Sequence, residues 1–243
     1  MTDTFVALDL EMTGLDPKKD RILEIGAVIV RDFQIKEQFQ TFVNPHRAIS
    51  PQAEAITGIR KDMVENAPED VDGLKALMKF TGELPLVGHN ILFDYRFLKQ
   101  CAVNHNITYE KAAADTLKIA RKCFPDMASR RLEDLCRYYH ISDVQQHRAC
   151  QDAWMTARLF LCLQQDFGDR YPELFQPKPL QYRVKKQGPL TPAQKRDLID
   201  LISCHKIVPN IEIDSLTKSE ASRMIDRIRW AYGKTGRTEG KHV

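Results

Sequence analysis

Asp9 and Glu11 stand two residues apart at the end of a short apolar run, Phe5-Val6-Ala7-Leu8-Asp9-Leu10. In an extended strand a spacing of two points both side chains to the same side. Adjacent carboxylates beside buried backbone repel each other and lose hydration. A cation or a basic group must compensate, or their pKa values must rise. An all-oxygen pair suits a hard divalent cation such as Mg²⁺ or Mn²⁺. The alternative is that only Leu10 is buried and both acids face water. Asp94 follows Gly88-His89-Asn90-Ile91-Leu92-Phe93. Here Asn90 reads as a helix cap and Asp94 falls in the first turn, near the positive end of the helix. His147 and Asp152 form the third group. On one helix they would lie about 140° apart. They can converge if His147 sits on the preceding loop and Asp152 in the opening turn. A histidine beside carboxylates is a general base suited to near-neutral pH.

Positioning these groups is the work of a mixed set of elements. Residues 5–10, 25–30 and 38–43 read as three close-spaced strands, and so as an antiparallel meander. Residues 84–87 form a further short strand candidate. Helices are expected in pieces over 51–81, then over 92–104, 115–123, 132–139 and 150–165. Ala149, Ala153 and Ala157 recur at helical spacing. Such a small-residue face would let the last of these helices approach the sheet closely. Strands first and alternating segments later predict an α/β or α+β domain over about residues 1–170.

The chain has 243 residues, 43% of them hydrophobic and 28% charged, enough for a sizeable core. That composition excludes disorder, collagen-like repeats and a disulfide-framework miniprotein for the chain as a whole. The start, Met1-Thr2-Asp3, has no basic segment followed by an apolar one, so a cytoplasmic protein with reduced thiols and no membrane contact is expected. The net charge of +3 conceals an asymmetry. Residues 1–175 carry 22 Lys/Arg against 26 Asp/Glu, and residues 176–243 carry 14 against 7. The expected organisation is a catalytic domain over 1–170, a Pro-rich linker over 171–190, a basic two-helix module over 191–232 and a flexible tail over 233–243. Thr191-Pro192-Ala193-Gln194 and Thr217-Lys218-Ser219-Glu220 are capping boxes that open the two helices. The basic module is expected to hold substrate backbone.

Taken in order, three motifs resemble the DEDDh branch of the DnaQ-like 3′–5′ exonucleases. They are Asp9-Leu10-Glu11-Met12-Thr13-Gly14, His89-Asn90-Ile91-Leu92-Phe93-Asp94 and His147-Arg148-Ala149-Cys150-Gln151-Asp152. The resemblance covers about residues 4–165. It implies a ribonuclease-H-like fold, a mixed five-stranded sheet flanked by helices. It further implies that Asp9, Glu11, Asp94 and Asp152 hold two divalent cations, Mg²⁺ or Mn²⁺, and that His147 activates the attacking water. Thr13, His89, Asn90 and Phe93 match positions near the terminal nucleotide. The implied partner is DNA with single-stranded or frayed 3′ ends, with a DNA polymerase as a further partner. The segment Asp9 to Pro17 is also similar to oligoribonuclease, which keeps short RNA as an alternative substrate. A silent polymerase accessory subunit is the third alternative. The His89-Asn90 pair favours DNA.

Overall fold

The computed structural model describes residues 2–141 and 148–233. The chain folds into two compact units: Met1–Pro45 with Ile49–Lys185, and His46–Ala48 with Lys186–Val243.

The first unit is built on six strands: β1 (Phe5–Met12), β2 (Ile22–Arg31), β3 (Gln34–Phe42), β4 (Leu86–Gly88), β5 (Ala112–Asp115) and β6 (Lys178–Pro179). Their order across the sheet is β3-β2-β1-β4-β5-β6. The pairs β1–β2 and β2–β3 are antiparallel, which is the meander expected from the sequence. β4 then joins β1 in parallel, and β5 joins β4 in parallel. The helices are α1 (Pro51–Thr57), α2 (Lys61–Val64), α3 (Asp70–Thr81), α4 (Leu92–Asn104), α5 (Thr116–Cys123), α6 (Leu132–Tyr138) and α7 (Ala149–Phe167). The fold is therefore mixed α/β, as expected, with one strand more than the five-stranded sheet of the resemblance. The extra strand is β6, which pairs antiparallel with β5 inside the stretch read as linker. Its proline is tolerated because an edge strand needs no outward ladder donor. β5, with the sequence Ala-Ala-Ala-Asp, has little β-propensity of its own. Its place between β4 and β6 makes it a strand.

Alternation along β1 sorts its side chains between two cores. Val6, Leu8 and Leu10 face Leu74 and Leu77 of α3 and Tyr95, Phe97 and Leu98 of α4. Phe5 and Ala7 face the other way, against Met155, Leu159, Phe160 and Leu163 of α7. Asp9 and Glu11 continue that second row. β1 is thus covered on both sides, which is why its sequence is a continuous apolar run until the acids.

The seating of α7 on the sheet depends on Gly26. This glycine is the register partner of Asp9. A Cβ built on it would lie 2.0 Å from the carbonyl carbon of Ala149 and 2.1 Å from the nitrogen of Cys150. The N-terminal turn of α7 therefore rests on bare β2 backbone. Ala149, Ala153 and Ala157 are all fully buried, so the small-residue face does lie inward.

In the second unit, α8 (Pro192–Cys204) and α9 (Lys218–Tyr232) both begin with the capping boxes read in the sequence. Leu198, Leu201, Leu216, Ala221, Ile225 and Ile228 form their shared core. Arg47 reaches Glu220 at 2.9 Å, and Arg229 reaches Asp197 at 2.8 Å. Residues 234–243, most of the expected tail, lie outside the described residues. Among the described residues no helix is long and apolar enough to cross a membrane.

Gly26→Ala is expected to lower the unfolding free energy by about 2 kcal/mol or more, since the methyl group meets backbone and not a side chain that could rotate away. Thermal unfolding of the purified variant measures this. A melting temperature equal to wild type would mean that α7 can stand off from β2 at no cost.

Candidate active site

Asp9, Glu11 and Asp152 converge. One carboxylate oxygen from each lies within 4.8 Å of the other two. Asp9 and Glu11 come from the end of β1, and Asp152 from the first turn of α7. Glu11 is buried, whereas Asp9 and Asp152 are half-buried. Asp94 arrives from the first turn of α4 and is buried. Its Oδ1 accepts a hydrogen bond of 3.1 Å from the Leu10 amide, between the two β1 acids in sequence. Asp94 is outside the three-way cluster but close enough to Asp9 to repel its charge.

Burial and mutual repulsion set the protonation of this group. Burial raises the Asp9 pKa well above the ordinary carboxylate value, and the Asp94, Asp152 and Glu11 charges raise it further. Glu11 is pushed up to about 8, first by burial, then by Asp152 and by Glu24, with Arg148 pulling it down. Asp94 is raised to about 7 by burial, against the lowering effect of its backbone hydrogen bonds, including the one from Leu10. Oxygen-only donors, gathered at ligand spacing and short of positive charge, fit hard divalent cations. The donor set passes that test on its own chemistry.

Glu24 is the site residue that motif reading missed. It is the β2 register partner of Glu11, so its side chain lies on the same face of the sheet. It is fully buried, yet it is paired. Arg148 grips it with Nη2 at 2.8 Å and Nε at 3.2 Å, and the Ala149 amide donates to its Oε2 at 3.1 Å. Gln40 donates to its Oε1 as well. Glu24 thus binds both the residue before α7 and the first amide of α7, where a helix has unpaired donors. The available signal was a lone acid within Ile22-Leu23-Glu24-Ile25, a strand otherwise apolar up to Arg31.

The residues matched to the terminal nucleotide are placed as follows. Thr13 accepts the Arg21 amide on its Oγ1 at 2.9 Å, closing the loop between β1 and β2. Asn90 is not the cap of α4. That position is Ile91, and Asn90 instead takes a left-handed φ of 69°. Asparagine tolerates that conformation, and here it turns the end of β4 into the helix. The Asn90 amide donates to Asp115 Oδ1 at 3.0 Å. His89 Nδ1 lies 2.9 Å from Thr116 Oγ1, and burial lowers the His89 pKa. Phe93 is half-buried and meets Phe97 edge-on at 5.7 Å. His147 lies outside the described residues. Its neighbour Arg148 is the residue just before α7.

Fold and site together define an α/β domain with an acidic, cation-suited centre where β1 meets α4 and α7. The chain belongs to the RNase_T exonuclease family, whose model matches residues 6–160. Among curated proteins it is 42% identical over 160 residues to the DNA polymerase III PolC-type of Oceanobacillus iheyensis, covering 65% of this chain and 11% of that protein. The Bacillus subtilis PolC-type polymerase is 37% identical over 171 residues, covering 69% of this chain and 12% of that protein. The chain therefore spans only about one-ninth of the length of these relatives. Among solved structures, Exonuclease X in complex with 5′ overhanging duplex DNA matches with a TM-score of 0.57 and 27% identity, over 71% of this chain and 99% of that one. Exonuclease I matches with a TM-score of 0.61 over 72% of this chain and 42% of that one, at 22% identity, which shows the shared fold.

The charges also set how stability responds to pH and to cations. The Glu11 pKa rises on folding from an ordinary 4.5 to about 8. Between those values the folded chain holds more protons than the unfolded chain. Its stability without divalent cations is therefore highest at the acidic end and falls as pH rises through about 8. Added Mg²⁺ or Mn²⁺ should raise the melting temperature more at the alkaline end than at the acidic end. Scanning calorimetry across that window tests the sign. An equal cation effect at both ends would show that the carboxylates do not take up the ion.

Glu24→Gln is expected to cost about 2–3 kcal/mol of stability, because the amide loses the negative charge and one of the two accepting oxygens, so Arg148 can no longer be gripped through both. It should also weaken Mn²⁺ binding in titration calorimetry, since Asp152 loses its anchor. Wild-type Mn²⁺ affinity in that variant would show that α7 is positioned without Glu24.

Proposed function

We propose that this chain is a 3′–5′ exonuclease that hydrolyses the terminal phosphodiester of DNA and releases nucleoside monophosphates, in repair or proofreading. The observation that carries the reading is the convergence of Asp9, Glu11 and Asp152 with Asp94 bound at Leu10. The likeness to PolC-type polymerases supports a DNA substrate and a DNA polymerase as partner. Exonuclease X, solved with duplex DNA, supports the same substrate class.

Asp9, Glu11, Asp94 and Asp152 would hold two divalent cations, Mg²⁺ or Mn²⁺. Bound there, the ions supply charge neutralisation to an anionic phosphodiester and make water more acidic. The chain's own groups do the rest. The Leu10 amide fixes the Asp94 carboxylate, and Glu24 with Arg148 fixes the turn that carries Asp152. His147, directly before Arg148 in sequence, would take the proton from the attacking water on its imidazole. Burial keeps the His89 ring inclined to neutrality, so it can share hydrogen bonds with a nucleotide without adding charge. Four carboxylates balance two divalent cations, which accounts for so many acids at one place.

Asp152→Asn and Glu11→Gln should each reduce turnover by at least about 10²- to 10³-fold, with circular dichroism showing the fold retained. Chelation of divalent cations should stop the wild-type chain, and Mg²⁺ or Mn²⁺ should restart it. The assay is stepwise release of label from the 3′ end of single-stranded DNA, duplex DNA and short RNA. Preferred release from RNA would reassign the substrate. Binding without any release would make the chain a silent accessory subunit.

A further inference from the structure

We propose that a second site, an arginine pocket beside the acidic centre, binds a backbone phosphate of the nucleic-acid strand. It rests on the reading of the chain as a DNA exonuclease and names a subsite for that substrate.

The pocket is a cavity of about 490 Å³ lined by His89, Asn90, Leu117, Arg121, Arg130, Arg131 and Leu132. Three of these residues are arginines and none is an acid. A cavity that concentrates three permanent positive charges, with no carboxylate among the described residues of its wall, is matched to an anion. The arginines come from different places. Arg121 is in the last turn of α5, and Arg130 and Arg131 lie just before α6. Sequence spacing alone would not bring them together.

Each arginine is in a different state. Arg130 is committed to structure: its guanidinium donates to the Phe124 and Pro125 carbonyls and pins the loop. Arg131 is largely exposed, with a loose approach of 3.7 Å to Glu133. Arg121 makes no side-chain hydrogen bond or ion pair among the described residues. Its charge is near enough to His89 to lower that residue's pKa. Arg121 and Arg131 thus have donors available for a ligand, and Arg130 holds the wall they stand on.

The occupant follows from what borders the pocket. His89 and Asn90 line it, and the same short segment leads through Ile91 into α4 and Asp94. His89 is tied to the start of α5 through Thr116, so the pocket floor and the Asp94 turn share one anchor. A strand whose terminal phosphodiester reaches the acids carries an anion at every nucleotide. One of those anions, 5′ to the reacting one, is the ligand these guanidiniums fit. The acids need a substrate held against their own field, and fixed cations to one side do that.

The test separates binding from turnover. Binding of a fluorescent single-stranded oligonucleotide is followed by anisotropy over a series of salt concentrations. The chain carrying Asp152→Asn is compared with the same chain also carrying Arg121→Ala and Arg131→Ala. Among the described residues neither arginine's side chain takes part in the loop's hydrogen bonds, and Arg131→Gln alone serves as a milder variant. The expected result is a Kd at least about tenfold higher, with the slope of log K against log salt shallower by about 0.7 for each phosphate no longer neutralised. An unchanged Kd and slope in a folded variant overturns the pocket. Release of label by the wild-type chain decides the exonuclease reading separately, so either idea can fail without the other.

Discussion

Like charges crowded at one point are the constraint on which this molecule is organised. Two unit charges about 4 Å apart repel by about 4 kcal/mol even in a moderately polarisable environment. Asp9, Glu11 and Asp152 stand at comparable spacing, and Asp94 adds its field. Nothing in that arrangement is self-stabilising. It persists because each acid is carried by an element whose position is fixed by other forces. β1 is locked between β2 and β4 and buried on both faces. α7 lies flat against β2 because Gly26 leaves it room. The apolar cores hold the acids together against their repulsion, and the raised pKa values of Asp9 and Glu11 record burial first and that repulsion second.

Glu24 shows the other outcome for a buried acid on the same sheet face. It is deeper than Asp9 or Asp152, yet two nitrogens of one guanidinium, a backbone amide and a glutamine side chain satisfy it. Among the described residues Glu11, its register partner, has no such set. The two glutamates lie side by side on paired strands, one completed by protein donors and the other part of the cluster proposed to take a cation. An acid completed by protein donors serves the architecture, here by seating the N-terminus of α7. An acid short of partners keeps its oxygens available. That distinction separates a structural carboxylate from a ligand more reliably than burial does.

Much of this was legible in the chain itself. The period of two in Phe5 to Glu11 placed both β1 acids on one side, and Ala149, Ala153 and Ala157 announced a helix that must approach closely. These signals survive because local geometry alone decides them. Asn90 misled because asparagine serves both as a helix cap and in left-handed backbone, and only the exit direction of β4 selects between them. β5 was illegible because three alanines and an aspartate carry no strand preference, and β6 because proline ordinarily signals a break. Both are made strands by neighbours distant in sequence. Glu24 was visible as an anomaly but its partner, 124 positions later, was not. His147 lies outside the described residues, so its role rests on its position next to Arg148 in the chain.

The charge pattern of the first unit solves a problem that its own centre creates. On the proposed function, an acidic pocket would repel its polyanionic substrate, and cations held there would cancel that repulsion only where they sit. A strand approaching from further away still meets the field of the carboxylates. Fixed guanidiniums lining a cavity bordered by His89 and Asn90 offer the strand a second point of attachment that does not depend on bound ions. Two attachments would hold a bound strand in place against the acids. On the proposed function the acids would select what bond is broken, and the positive charge lining the neighbouring pocket would hold the strand while they act.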